Sequence, residues 1–183
     1  MKWCADTDLD AEGPQWSFAV DLYRRPAVSE ACLALQDRLG GDVCLVLFAL
    51  FIAREHQIGL AHSDFASLDE AVADWRREVI EPLRSVRRRL KLAPHPAPSP
   101  HTNAVRQYIQ RAELAAEQIE LAMLARCFAR RPHVGPTLSA DAAAVLDRLA
   151  HFFSLRSAQP DAASSPETRT ALKTIADALA QPC

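Results

Sequence analysis

From Val43 to Ile52 the chain is apolar at every position, and on either side of this run apolar residues recur three and four apart. The three-and-four rhythm puts side chains on one face of an α-helix. Residues 14–24 carry Trp16, Val20 and Tyr23 on one side, with Phe18 and Leu22 adjoining, and Pro26 closes the segment. From Ala27 to Leu39, Val28, Cys32, Leu35 and Leu39 follow the same rhythm, and Gly40 supplies a C-terminal stop. Asp42 is a natural N-cap for the apolar run. A helix apolar on every face is one buried on every side. An interior strand is the competing reading. It fails because the run flows into Ala53-Arg54-Glu55-His56-Gln57 without a turn signal, and nothing else in the chain reads as a partner strand.

Further on, Ser67-Leu68-Asp69-Glu70 has the spacing of a capping box and predicts a helix from there to about Leu92. Its apolar stripe is Val72, Trp75, Val79, Leu83, Val86 and Leu90. Pro82 lies inside this pattern and should kink or divide it. A stiff proline-rich connector, residues 93–100, leads to the longest predicted helix, Thr102 to Arg130. That helix should bury Val105, Tyr108, Ile109, Ala112, Ala115, Ile119, Ala122 and Met123. Ser139 or Asp141 caps another helix to about Leu155, and a second capping box at Ser164 to Glu167 opens a last one ending near Ala180.

The expectation is therefore an all-α, single-domain bundle of six to seven helices around a buried apolar helix at about 42–55. The helices at 14–24, 27–39, 67–92 and 102–130 should screen it. Residues 1–12 read as a flexible acidic lead-in and 13–183 as the helical domain. Residues 132–183 form an extension that either covers the bundle or mediates self-association.

Composition agrees with helices: five glycines and two tyrosines among 183 residues leave few signals for sheet. A net charge of −2 argues against a strongly basic nucleic-acid protein. The distribution says more than the total. Residues 1–70 carry five basic and twelve acidic side chains, whereas 71–131 carry twelve basic and six acidic ones. Two such regions either meet each other or offer a surface to a partner. Five cysteines without a CxxC pair suit a reducing compartment, and no stretch approaches the ~18–20 apolar residues that span a bilayer. The first residues are too acidic for a secretory leader, so a cytoplasmic location is expected.

The sharpest chemical feature is an arginine cluster. Arg77, Arg84, Arg88 and Lys91 are spaced to share one helix face, away from the apolar stripe, with Arg76, Arg87 and Arg89 flanking them. Guanidinium groups suit planar, bidentate binding of carboxylate or phosphate. A solvated basic face, partly neutralised by Glu113, Glu117 and Glu120, is the plainer alternative. Tyr23, Gln36 and Arg84 could form a polar network holding helices in register, or anchor a small ligand. His56 with Glu113 and Glu117 is a weak candidate metal set, because no Glu-x-x-His of a carboxylate-bridged di-metal bundle occurs. No nucleophile elbow, phosphate-cradling loop or dinucleotide fingerprint is present, so no catalytic residue and no cofactor is assigned. Cys32 and Cys127 read as packing residues.

Three blocks of sequence resemble an uncharacterised family of short bacterial proteins known only as a domain of unknown function. The first runs from Trp16-Ser-Phe18 through Leu22-Tyr23 and Ala31-Cys32-Leu33-Ala-Leu35-Gln36-Asp37 into Gly40-Gly41-Asp42-Val43. The second is Trp75-Arg76-Arg77-Glu-Val79-Ile-Glu-Pro82-Leu83-Arg84-Ser-Val-Arg87-Arg88-Arg89-Leu90-Lys91, and a fainter third holds Glu113, Glu117 and Glu120. The resemblance covers about residues 16–125 and implies a small all-helical cytoplasmic protein without a stated activity. Cys44 and Val46 depart from the family pattern, which often has Asn and then leucines there.

The expected function is a non-enzymatic interaction or regulatory module, its basic face meeting an unknown protein or a phosphate-bearing ligand. The alternatives are a helical-bundle enzyme or metal protein, and an RNA-binding protein. The latter is disfavoured because aromatic residues do not interleave the arginines.

Overall fold

Asp42 opens helix α3, Val43–His56, by accepting a hydrogen bond from the Cys44 backbone N–H at 2.9 Å. Ten consecutive residues, Cys44 to Ala53, are buried. The computed structural model describes residues 9–92, 99–130, 138–157 and 163–181. Among these residues there are eight α-helices and one π-helical segment, and no strand beyond an isolated bridge between Gly59 and Leu138. The architecture is all-α. Gly59 is needed at that bridge, since a Cβ there would lie 2.5 Å from the Leu138 carbonyl oxygen. Among the described residues no helix is long and apolar enough to cross a membrane.

Around α3 stand α1 (Pro14–Tyr23), α2 (Val28–Leu39), α4 (His62–Trp75), α6 (Pro100–Ala129) and α7 (Ala142–Ser154). Phe48, Phe51, Phe18 and Phe128 meet edge-on or tilted with centroids about 6 Å apart, the preferred geometry for aromatic pairs. Helix α7 is a wall the sequence reading left out: Val145, Leu146, Leu149, Phe152 and Phe153 are buried in the same core. Helix α8 (Pro166–Ala180) packs along α2, and Arg25 closes its end by donating to the carbonyls of Ala178 and Gln181. Residues 138–157 and 163–181 therefore cover the bundle.

The rod after α3 departs from expectation in two ways. It begins at His62, a turn before Ser67, because the Asp64 carboxylate accepts from the Ala61 backbone N–H at 2.8 Å. Ser67 lies inside the helix and donates to the Ser63 carbonyl at 3.0 Å. Nor does Pro82 divide the rod. Residues Arg76–Ile80 widen into a π turn, in which the Glu81 N–H reaches back five residues to the Arg76 carbonyl, and α5 (Glu81–Lys91) follows directly. A proline removes one donor and clashes with the carbonyl four residues before it, and the wider turn accommodates both defects.

That single inserted residue turns α5 by about 100° relative to a continuous α-helix. The buried line passes from Phe65, Leu68 and Val72 to Ile80, not to Val79 and Val86. Val86 is left exposed, and Arg84 and Arg87 swing towards α6. Helix α6 is rotated from expectation too. It buries Glu113, Ala116, Glu120, Leu121, Ala122 and Leu124, while Val105, Tyr108, Ala112 and Ala115 are exposed. The cause is its partner: α5 packs chiefly on α6 and the π turn, and it presents arginines. Small shifts of cap complete the comparison. Helix α6 begins at Pro100, capped by Ser99, rather than at about Thr102, and Ser165, not Ser164, caps α8. Most of the proline-rich connector and of the acidic lead-in lies outside the described residues.

Candidate functional site

Two ionic clusters line the seam between the rod and α6. At the first, Arg76 leaves the start of the π turn and donates to three carboxylates from three other places in the fold. These are Asp42 at the head of α3, Asp69 on α4 at 2.7 Å, and Glu120 on α6 at 3.2 Å. Arg156, after α7, also donates to Asp69. Asp42 divides its work: one oxygen caps α3 and the other receives Arg76. At the second cluster, Arg84 donates to Glu113 at 3.0 Å and Glu117 at 2.8 Å, and Arg87 donates to both oxygens of Glu113. Trp75 anchors the seam through its indole N–H to the Ala116 carbonyl at 3.0 Å. Among the described residues no buried side-chain nitrogen or oxygen lacks a partner.

Burial and charge set the protonation states. Glu120 is 1% exposed; burial pushes its carboxyl up to about 9, with the nearby Asp42 carboxylate adding to the shift and Arg76 opposing it. Glu117 is likewise raised by burial against Arg84. For Glu113 burial acts upward too, but the hydrogen bonds from Arg87 and Arg84 outweigh it and hold the group below the usual range. Burial alone pushes the Cys32 thiol up to about 12, and burial followed by Glu120 and Asp42 raises Cys44. Neither is a nucleophile at neutral pH. The first cluster thus sets the carboxyl groups of Asp42, Asp69 and Glu120 against the guanidinium groups of Arg76 and Arg156.

Beside the seam, between the end of α2 and α5, lies an open cleft of about 520 Å³. Gln36, Asp37 and the Gly40–Gly41–Asp42 turn form one wall. Glu81, Arg84, Ser85, Arg88 and Arg89 of α5, with Leu92 just after it, form the other, and Arg76, Ile80 and Glu120 also line the cleft.

The structure separates the sequence-predicted basic face. Arg84 is turned inward and paired, which corrects the expectation that it stands outside with the rest. Arg77 is exposed and paired with Asp74 and Glu78 on its own rod. Arg88 lies 3.8 Å from Asp37 with both side chains more than half exposed, and Lys91 is exposed. Arg89, which also faces the cleft, has no ion pair among the described residues, and neither does Lys91.

The proposed polar trio does not close. Arg84 is occupied by the glutamates, and among the described residues neither Tyr23 nor Gln36 hydrogen-bonds to it. Tyr23 does lie beside that pair: its hydroxyl is raised by burial, then by Cys32 and Glu117, against Arg84 and Arg87. The metal set of His56, Glu113 and Glu117 is not brought together. His56 is exposed, with its ring against Phe51 and Phe128, twelve residues along α3 from Cys44, whose thiol contacts the Glu117 carbonyl. Twelve residues of helix span about 18 Å. Among the described residues the grouping that does form is Asp42, Cys44 and Glu120, with ligand atoms within 4.8 Å of one another, and the Arg76 guanidinium already bonds both carboxylates.

Sequence reasoning missed Asp69, Arg76 and Glu120 as one cluster. The available signals were Asp69 at a position that helical spacing places with Phe65 and Val72, and Arg76 directly after the anchoring Trp75. No curated protein and no solved structure matches the chain. A family model described as protein of unknown function (DUF2390) matches residues 14–124. This stretch holds α1 to α5, the cleft and the α6 glutamates, and the chain belongs to that family.

Proposed function

We propose that this chain is a non-enzymatic interaction or regulatory module that docks an acidic or phosphate-bearing partner against the outer side of α5. One observation carries the reading. From Pro82 to Ala112 the chain has seven arginines and lysines and no carboxylate, and α6 neutralises only Arg84 and Arg87. Arg88, Arg89 and Lys91 remain at the surface, with Arg77 at its edge. Surface ion pairs contribute little to stability, so three adjacent cations not used for packing are available for recognition. A cytoplasmic setting fits the free thiols of Cys32, Cys44 and Cys127.

Affinity capture with mass spectrometry, run on the wild-type chain and on Arg88→Glu/Lys91→Glu, tests this. The expected result is a salt-sensitive partner retained by the first and absent from the second. An identical set of captured proteins would sink the reading. The alternative is a metal protein, for which Asp42, Cys44 and Glu120 are the grouped donors although Arg76 already bonds both carboxylates; stoichiometric Fe, Mn or Zn in purified material would reverse the order.

A further inference from the structure

We infer that the cleft between the α2–α3 turn and α5 binds a phosphate monoester. This rests on the docking reading above and gives it a ligand chemistry. The volume of about 520 Å³ lies in the range of small-molecule sites, roughly 300–1,000 Å³. Of the arginines at the cleft, Arg76 and Arg84 are already held by carboxylates of the seam. Arg88 and Arg89 are not so held. On a helix, Ser85 lies one turn before both of them, so a hydroxyl and two guanidinium groups face the same volume. From the opposite wall Gln36 adds a carboxamide.

Four donor side chains of these kinds match the three acceptor oxygens and double charge of a phosphate monoester. Guanidinium binds such a group through two parallel hydrogen bonds. The organic part of the ester meets the largely exposed Leu92.

Asp37 decides how the site works. It holds Arg88 at 3.8 Å, beyond a good hydrogen bond, with both groups in water. It is thus a weak internal competitor for the cation that a dianion would take at shorter range. The ligand replaces Asp37 as the partner of Arg88, and the released carboxylate faces solvent.

Titration calorimetry with phenyl phosphate tests the site on the full chain, with folding of each variant checked by circular dichroism. Saturable binding is expected. Arg88→Gln/Arg89→Gln should weaken it about tenfold or more, the loss of two charge-assisted hydrogen bonds. Asp37→Asn should tighten it by roughly threefold, since the competitor is gone. Lys173→Gln, exposed on α8 and not part of the cleft lining, should leave it unchanged. A phosphoserine peptide as second ligand identifies the source. Binding tighter than phenyl phosphate indicates a phosphorylated protein, and equal or weaker binding a free phosphate ester.

The proposal is overturned by the absence of saturable binding, by equal affinity in the double variant, or by Asp37→Asn weakening the interaction. A silent titration beside an intact Arg88/Lys91-dependent capture removes the cleft alone. Binding of phenyl phosphate with capture unaffected by those charge reversals removes the protein-docking surface instead.

Discussion

Glu120 is the most deeply buried carboxyl group among the described residues. It lies under Asp42 and Arg76 at the head of α3, and burial raises its carboxyl to about 9. Between about 4.5, where a glutamate in the unfolded chain titrates, and about 9, the folded state retains a proton that the unfolded chain has lost. Glu120 therefore contributes stability that is full below that window and falls as pH rises through it, by at most about 1.4 kcal/mol per pH unit. Glu120→Gln keeps an acceptor for Arg76 and removes the titration. Its urea-derived stability should depend less steeply on pH from 5 to 9 than that of the wild type. Parallel curves for the two proteins would show that Glu120 is already ionised in the fold. At this scale the sequence was half legible. Asp42 is recognisable as a cap from its place before an apolar run. Its second oxygen meets an arginine 34 residues away, and no local pattern encodes that meeting.

Among the elements, α2 and α3 were readable because each needs only its own periodicity. Helix α2 buries Val28, Cys32, Leu35 and Leu39, as their spacing requires, and α3 buries its apolar run from Cys44 onward, with Val43 half-buried. The rod from His62 to Lys91 was not readable in the same way. Pro82 announces a defect, but kink, break and inserted residue are equally compatible with one proline. The choice is made by α6, whose Glu113 and Glu117 meet Arg84 and Arg87 only if α5 is rotated. Removing one exposed residue from the π turn tests this link. Deletion of Glu78 should restore α-helical register and turn Arg84 and Arg87 away from α6. The expected loss is about 3–5 kcal/mol, the cost of breaking partly buried ion pairs, read as a lower urea midpoint. Glu78→Ala should shift it little, as the side chain is exposed. Equal stability of the deletion variant would mean that the register is not set by these pairs.

At the level of the whole molecule, the family match ends at residue 124 but the core does not. Phe152, Phe153, Leu149 and Ile175 belong to the same buried cluster as α3, and α8 lies along α2. Truncation after Arg130 should therefore expose apolar faces of α2 and α3. The expected outcome is loss of cooperative thermal unfolding and dye binding typical of exposed apolar surface. A truncated chain that still melts in one sharp transition would define the family segment as a self-sufficient unit. The sequence left the role of this extension open because its amphipathic helices would read alike whether they covered the bundle or paired with another copy.

The hairpin of α5 with the first half of α6 is fastened mainly by glutamates and arginines, whereas the bundle behind it is fastened by leucine, phenylalanine and isoleucine. Dissolved electrolyte weakens the first kind of fastening and hardly touches the second. In concentrated sodium chloride the amides of residues 81–91 should exchange with deuterium well before those of α3 begin to, so that the hairpin loosens as a separate cooperative unit while the bundle stays closed.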